Sequence, residues 1–209
     1  GIKEDNLPAL YLALQQLGLA KVGFHSVNDI VACPGTDTCN LGIASSMGLA
    51  AELQRIIEEE YPEIIEKQQL NIKISGCMNA CGQHAVADIG FQGMTVKSNG
   101  NIAPATQVLL GGGVLENGEG RYADKALKVP AKRTPDVLRW ILDDFEKNVL
   151  PEESFLAYYQ RKKTDYFYQN LKEYAEVSSL TPSDFVDWGA STVYEKAIGV
   201  GECAGVTID

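Results

Sequence analysis

Four cysteines in two short loops are the residues of this sequence best suited to chemistry. Cys33 and Cys39 enclose five residues in ACPGTDTC, and Cys77 and Cys81 enclose three in SGCMNACG. Cysteine thiolates bind metals, and two loops that an α/β unit brings to one point can supply the four corners of an iron–sulfur cubane. The clustering therefore favours a metal group held by all four residues.

Glycines accompany both cysteine loops. Gly35 lies within the first loop, and Gly76 and Gly82 lie on either side of the second cysteine pair. Because glycine has no Cβ, the backbone there can turn tightly and bring its N–H groups close to inorganic sulfide. We therefore interpret these glycines as part of the same site.

Zinc, disulfide bonds and simple packing are alternative explanations for the cysteines. Structural zinc sites usually have about two to four residues between paired cysteines, and the first loop has five. The odd total of five cysteines disfavours a disulfide framework. The fifth, Cys203, has no histidine or basic residue beside it, so we interpret it as an idle or buried thiol rather than a nucleophile or further ligand.

Composition narrows the class of protein. The chain has 209 residues, of which 45% are hydrophobic, and a formal net charge of -10. This length supports a sizeable core, and the negative charge repels nucleic acids and anionic membranes. The sequence lacks the run of about 20 apolar residues that a transmembrane helix needs, and its first residues lack the regions of a signal peptide. We expect a globular cytoplasmic protein with no nucleic-acid or membrane partner.

Helical periodicity before and after the first cysteine loop predicts the elements that position it. Apolar spacing predicts a helix over residues 6–17, a short strand ahead of Cys33, and a long helix that begins against Cys39. The N-terminus of that helix has free N–H groups and the positive end of the helix dipole, both of which stabilise an anionic cluster. This placement agrees with ligation at Cys39.

Strand patterns surround the second cysteine loop. NIKIS and AVADIGFQGMTVK predict strands on its two sides, SNGN predicts a hairpin turn, and PATQVLLGGG and KALKVPA predict further strands. The segment TPDVLRWILDDFEKN predicts an amphipathic helix with Thr134 as its cap and Pro135 at its first position. We expect an α+β fold in which helices cover a mixed sheet and both cysteine loops lie at one end of the sheet.

The predicted domain covers residues 1–148. Residues 149–209 are richer in aromatic side chains and are predicted to form a helical C-terminal tail, in which TPSDFVDWG is a further capped helix start.

The segments ACPGTDTCNLGIASSMGLAAEL and KISGCMNACGQHAVADIGFQG resemble the paired cysteine motifs of siroheme-dependent nitrite and sulfite reductases, whose pattern is C-x5-C followed by C-x3-C. The resemblance extends over about residues 7–147 and corresponds to the C-terminal half of such an enzyme. It implies the nitrite/sulfite reductase 4Fe-4S domain fold, with a [4Fe–4S] cluster on Cys33, Cys39, Cys77 and Cys81. It also implies that Cys81 bridges to the siroheme iron as axial ligand, and that Asn79 helps to position the cluster and the macrocycle.

The same resemblance implies an oxidoreductase. In the family, electrons from ferredoxin or another donor pass through the cluster to siroheme, where nitrite is reduced to ammonia or sulfite to sulfide. Substrate-binding Arg and Lys residues come largely from an N-terminal half, and residues 1–20 resemble the end of that ferredoxin-like half-domain. We therefore expect the N-terminal half to be a partner and the isolated chain to be inactive. The alternative is a non-catalytic electron-relay or zinc-stabilised interaction module that has lost siroheme.

Two further features are interpreted as structural. His84 follows the second cysteine loop and is expected to be a hydrogen-bonding group rather than a proton donor. The basic residues of DKALKVPAKR are expected to form a solvated face rather than a site for siroheme carboxylates or an acidic ferredoxin; they are Lys125, Lys128, Lys132 and Arg133.

Overall fold

A five-stranded mixed sheet forms the centre of the structure. The computed structural model describes residues 1–20, 26–67 and 70–195. The strands are β1 (Val31–Ala32), β2 (Ile72–Ser75), β3 (Ile89–Ser98), β4 (Asn101–Leu110), β5 (Gly113–Val114), β6 (Gly120–Arg121) and β7 (Asp124–Pro130). The sheet order is β1-β2-β3-β4-β7, and β5 pairs with β6 in a separate hairpin. The pairs β1–β2 and β2–β3 are parallel, whereas β3–β4 and β4–β7 are antiparallel.

Five α-helices accompany the sheet. They are α1 (Leu7–Gln16), α2 (Ser46–Glu60), α3 (Pro62–Lys67), α4 (Thr134–Asn148) and α5 (Phe155–Leu171) among the described residues. No described helix is both long and apolar enough to cross a bilayer. The predicted α+β fold with a mixed sheet and covering helices is confirmed.

The long β3–β4 hairpin has the turn that its sequence predicts. Asn99 and Gly100 connect the strands, with φ angles of 49° and 82°. Two successive positive φ angles match the twist of a two-residue hairpin, and Asn-Gly is the pair that adopts them most readily. The two strands pair in continuous register from Ser98↔Asn101 to Ile89↔Leu110.

One apolar core joins the sheet to helices α2, α4 and α5. Leu53 on α2, Phe91 on β3, Leu142 on α4 and Phe167 on α5 are all fully buried in it. Burying one such side chain contributes about 1.5–3 kcal/mol to folding. Helix α5 therefore packs into the same core as the sheet. The domain boundary near residue 148 remains a prediction.

Two predicted helix starts are wrong in detail. Helix α2 begins at Ser46 rather than against Cys39, because Ser45 is its N-cap and accepts a hydrogen bond from the Gly48 N–H at 3.1 Å. Thr134 does not cap α4 with its side chain. Its backbone is already helical, with φ -58° and ψ -39°, and its buried hydroxyl has no hydrogen-bond partner. An N-cap residue needs an extended backbone to direct its side chain at the first N–H groups.

Candidate metal centre

The first cysteine loop follows β1 directly. The Cys33 N–H donates to the Ile74 carbonyl at 3.1 Å, which continues the parallel pairing of β1 with β2. The chain then forms a 3-10 turn over Gly35–Asp37, and the Cys39 N–H donates to the Gly35 carbonyl at 3.1 Å. This turn lies between the two cysteines of the loop, and both of their side chains are partly exposed.

The second cysteine loop follows β2. Cys77 is buried, whereas Cys81 is exposed. Ala80 and Gln83 both have left-handed backbones, with φ angles of 58° and 59°, and the Gln83 N–H donates to the Ala80 carbonyl at 2.7 Å. Left-handed conformations cost non-glycine residues about 1–3 kcal/mol and occur preferentially at functional sites. The loop therefore keeps a strained shape around its cysteines.

Both loops leave the carboxyl ends of adjacent parallel strands, so they meet at one edge of the sheet. The Gly76 N–H donates to the Cys33 sulfur at 3.1 Å. The Ile43 and Ala44 N–H groups both donate to the Gly76 carbonyl, at 2.9 Å and 3.0 Å. Ser46 donates its hydroxyl to the Cys33 carbonyl at 2.6 Å. The two cysteine loops are thus bonded directly to each other.

Glycine is required where the loops touch. A Cβ on Gly76 would lie 2.7 Å from both the Ala44 carbonyl oxygen and the Gly35 Cα. A Cβ on Gly35 would lie 2.7 Å from the Ser46 nitrogen, and the residue has a φ of +56°. Side chains at these positions would push the loops apart. The close approach that the glycines permit in this structure is between the two cysteine loops.

The four cysteines are free thiols, and the other three affect the pKa of Cys77. Burial raises the pKa of Cys77, a hydrogen bond from the Asn79 backbone lowers it, and the nearby Cys33, Cys81 and Cys39 raise it further. A bound cationic metal group reverses this balance because it stabilises the thiolate form. Among the described residues, no three His, Cys, Asp or Glu side chains are placed to share one metal ion.

Asn79 and His84 differ in their relation to the site. Asn79 contacts Cys77 through its backbone, and its side chain is exposed. His84 is buried, with 4% of the residue exposed. Its Nδ1 has no hydrogen-bond partner, so this atom does not form the hydrogen bond that the sequence predicts for His84. Burial and then the positive charge of Lys125 lower the His84 pKa, which favours a neutral imidazole.

The predicted basic face separates into two parts. Lys125 and Lys128 are exposed, and Lys128 donates to the Thr95 carbonyl at 3.3 Å. Lys132 instead lies over the Trp188 ring, 4.0 Å from its centroid, and Arg133 binds carbonyls of the C-terminal segment. Lys125 and Lys128 therefore form a solvated face, whereas Lys132 and Arg133 bind another part of the chain.

That part of the chain is a segment that sequence reasoning missed, and we call residues 176–195 the C-terminal strap. Asp187 in the strap accepts a hydrogen bond from the Ser45 N–H at 2.8 Å. Tyr194 donates its hydroxyl to the Ile43 carbonyl at 2.6 Å. The pattern TPSDFVDWG predicted a capped helix start, and the structure has a 3-10 helix at Pro182–Phe185 with a Thr181–Asp184 capping box, but the pattern contained no information on what this segment contacts. Cys203 lies outside the described residues.

Comparison with known proteins finds relatives among nitrite and sulfite reductases. The profile described as nitrite and sulphite reductase 4Fe-4S domain matches residues 24–178. The chain is 27% identical over 136 residues to the assimilatory ferredoxin-dependent nitrite reductase of Haloferax mediterranei, covering 65% of the chain and 23% of that protein. It is 29% identical over 170 residues to sulfite reductase [ferredoxin] 2 of Mycolicibacterium paratuberculosis, covering 78% and 30%.

Further relatives agree. Identity is 32% over 113 residues to ferredoxin–nitrite reductase of Synechococcus elongatus, covering 54% of this chain and 21% of that protein. The chain thus spans less than a third of the length of these relatives. The solved structure of Mycobacterium tuberculosis NirA matches with a TM-score of 0.68 and 25% identity, over 79% of this chain and 31% of that one. Dissimilatory sulfite reductase I shares the fold, with a TM-score of 0.58 and 11% identity over 94% and 62% of the two chains.

Proposed function

The chain belongs to the family of the nitrite and sulphite reductase 4Fe-4S domain, and from this we propose that it is the cluster- and siroheme-binding part of such a reductase. In this proposal Cys33, Cys39, Cys77 and Cys81 would hold a [4Fe–4S] cluster, and Cys81 would also bind the siroheme iron. The reaction is the reduction of nitrite to ammonia or of sulfite to sulfide.

The observation that carries this proposal is the hydrogen bond from the Gly76 N–H to the Cys33 sulfur at 3.1 Å. It joins the two cysteine loops and directs a backbone donor at a ligand sulfur. Hydrogen bonds of this kind set the reduction potential of iron–sulfur clusters. The same pair of loops contains four free thiols, as a cubane requires.

The residues present fit a cluster better than a single metal ion, because each cysteine of a cubane binds a different iron and no three described side chains are placed to share one ion. The glycines let the two cysteine loops lie in contact, and the Asn79 N–H stabilises the thiolate of Cys77. Cys77 is buried, so its sulfur is shielded from water, whereas Cys81 is exposed and accessible to a second group. When bound, the cluster and siroheme supply electron transfer and an iron centre for the substrate. The polypeptide holds the thiolates, orients N–H donors and excludes water from Cys77.

Asn79 acts through its backbone in this proposal. Its N–H lowers the pKa of Cys77. Its side chain is exposed on the surface of the loop and would help to position a siroheme macrocycle bound through Cys81.

The names of the relatives suggest the electron donor and the substrate, and both are proposals for this chain. Two of the relatives are named for ferredoxin and nitrite and one for ferredoxin and sulfite, so we propose ferredoxin as donor and either anion as substrate. Because the chain covers 30% or less of each of them, it acts with a further N-terminal half that supplies cationic substrate-binding residues, and alone it is inactive. We also propose a cytoplasmic location, which the acidic composition of the chain favours.

Helix α1 agrees with that division. Several of its apolar side chains are exposed; Leu7, Tyr11 and Leu12 are 50%, 54% and 57% exposed. Such a row of exposed apolar groups suits a segment that packs against another part of a protein. We propose that residues 1–20 end a ferredoxin-like half-domain, that the cluster domain extends to residue 148, and that residues 149–209 form its C-terminal extension.

Anaerobic reconstitution of the chain with iron and sulfide tests the cluster. The expected product contains about four irons and four sulfides per chain and shows the EPR signal of a reduced cubane. Addition of siroheme and the N-terminal half should then produce nitrite or sulfite reduction with reduced ferredoxin. One zinc per chain without sulfide, or no metal at all, would exclude the cluster and favour a non-catalytic module.

A further inference from the structure

The C-terminal strap connects a region beyond the family match to the cysteine loops. The match ends at residue 178, and most of the strap follows it. The strap starts on the outer face of the β3–β4 hairpin, where Ser98 donates its hydroxyl to the Val177 carbonyl at 2.6 Å. Leu180 and Phe185 then pack against an apolar cluster on the hairpin. The hairpin thus anchors the strap before it reaches the site.

Asp187 is the first contact between the strap and the site. Its side chain is buried, with 5% of the residue exposed. One carboxylate oxygen accepts from the Ser45 N–H and the other from the Trp188 N–H, both at 2.8 Å. Ser45 is the N-cap of α2, and a carboxylate at a helix N-terminus also interacts favourably with the helix dipole. Asp187 therefore binds the start of α2 through a charge-assisted hydrogen bond.

Two neighbouring residues extend this contact. Tyr194 donates its hydroxyl to the Ile43 carbonyl at 2.6 Å, and its own N–H donates to the Phe185 carbonyl at 2.6 Å. The backbone of Trp188 lies against Gly48, where an added Cβ would be 2.6 Å from the Trp188 carbonyl oxygen. The strap thus holds residues 43–48 at three points.

The segment held by the strap is the one that joins the cysteine loops. Ile43 and Ala44 donate to the Gly76 carbonyl, and Ser46 donates to the Cys33 carbonyl. Asp187 binds Ser45, which lies between Ala44 and Ser46, and Tyr194 binds the carbonyl of Ile43 itself. A displacement of the strap would therefore change the position of the Gly76 carbonyl relative to Cys33.

We propose that Asp187 and Tyr194 are positioning residues that set the spacing of the two cysteine loops and thereby the environment of the group they bind. This inference rests on the proposed function for the identity of that group. A site that must place four thiolates accurately needs support from residues behind its ligands. The strap supplies such support from more than 140 residues away in the sequence, since Ser45 and Asp187 are 142 positions apart.

Hydrogen–deuterium exchange on the metal-free full chain tests directly whether the C-terminal strap restrains residues 43–45. Asp187→Ala should accelerate exchange of the Ile43, Ala44 and Ser45 amides about tenfold, because the charge-assisted bond that restrains them is lost. Asp187→Asn, which keeps an acceptor oxygen, should restore part of the protection. Tyr194→Phe should accelerate exchange at Ile43 and Ala44 less than Asp187→Ala.

Asp184→Ala is the matched control. Asp184 is a buried carboxylate of the same strap, with 6% of the residue exposed, but it accepts hydrogen bonds only from Thr181 among the contacts described for it. This variant should leave exchange at residues 43–45 within about twofold of the wild type. Equal acceleration by Asp184→Ala and Asp187→Ala, or by neither, would overturn the proposal.

The reconstituted chain provides a second measurement. Asp187→Ala should shift the EPR g-values and the reduction potential of the cluster and accelerate its loss to a chelator severalfold, whereas Asp184→Ala should not. If the wild-type chain forms no cubane, the proposed function fails, and the exchange experiment alone decides whether Asp187 and Tyr194 are positioning residues. If the cubane forms and both variants match the wild type in exchange and in reduction potential, the positioning role of Asp187 is refuted and the proposed function stands.

Discussion

The backbone N–H of Gly76 donates to the sulfur of Cys33 at 3.1 Å, although the two residues are 43 positions apart. This bond joins the ends of two adjacent parallel strands, and it exists because residue 76 has no side chain. A Cβ there would contact the Ala44 carbonyl oxygen and the Gly35 Cα at 2.7 Å. The contact between the cysteine loops therefore requires glycine at residue 76.

Gly76→Ala should separate the loops. We expect the free energy of unfolding to fall by about 1–3 kcal/mol, as in other overpacked sites, and the iron content after reconstitution to fall with it. Urea denaturation and iron analysis measure the two effects. Gly120→Ala is the control, because a Cβ on Gly120 meets no atom within 4 Å and should change stability by less than about 0.5 kcal/mol. Equal effects of the two substitutions would contradict the role of Gly76.

Serine substitution separates the proposed ligands from the fifth cysteine. Each of Cys33→Ser, Cys39→Ser, Cys77→Ser and Cys81→Ser should reduce the cubane EPR signal of the reconstituted chain severalfold, because serine oxygen is a poor ligand for these clusters. Cys203→Ser should leave the signal unchanged. In the chain combined with siroheme, Cys81→Ser should in addition alter the haem absorption bands. A normal signal in any of the first four variants would remove that residue from the ligand set.

Asp88 should make stability depend on pH. Burial raises its pKa to about 6, against 3.8 for an ordinary aspartate, and hydrogen bonds from Asn71 partly oppose this shift. The folded chain thus binds a proton more tightly than the unfolded chain. This tighter proton binding stabilises the folded chain below about pH 4. The stabilisation, about 3 kcal/mol in the free energy of unfolding, is lost as the pH rises through 6.

Asp88→Asn removes this titration and keeps an acceptor for Asn71. The free energy of unfolding of the wild type relative to this variant should therefore decrease between pH 4 and pH 7, as measured by urea denaturation at several pH values. A difference that is constant or increases with pH would show that Asp88 does not titrate in this way.

Phe167 tests whether α5 is part of the core. It is fully buried and its ring stacks on Tyr159 with centroids 5.5 Å apart. Phe167→Ala should lower the free energy of unfolding by about 3–5 kcal/mol. The adjacent Tyr168 is 45% exposed, so Tyr168→Ala should cost less than about 1 kcal/mol. A small effect at Phe167 in chemical denaturation would show that the extension after residue 148 is a separable tail.

Much of the fold follows from local sequence. The alternation of NIKIS identifies β2, Asn99 and Gly100 identify the hairpin turn, and the apolar spacing of residues 134–148 identifies α4. These signals are read from neighbouring residues, because a strand or turn depends mainly on its own side chains and backbone preferences. The cysteine spacing belongs to the same class, and the match over residues 24–178 confirmed the family that it indicated.

The details of the site depend on residues that are distant in sequence. The start of α2 at Ser46 is set locally by the Ser45 cap, whereas the left-handed backbones of Ala80 and Gln83 are not evident from residue type. Residue types alone also do not pair Asp187 with Ser45 or Gly76 with Cys33.

The sequence by itself therefore determined the family, the order of strands and helices, and the four candidate ligands. Only the tertiary structure decided how the two loops touch and which residues hold them in place. The physical reason is that these hydrogen bonds form between groups that are 43 and 142 residues apart, and their geometry exists only once the core has packed.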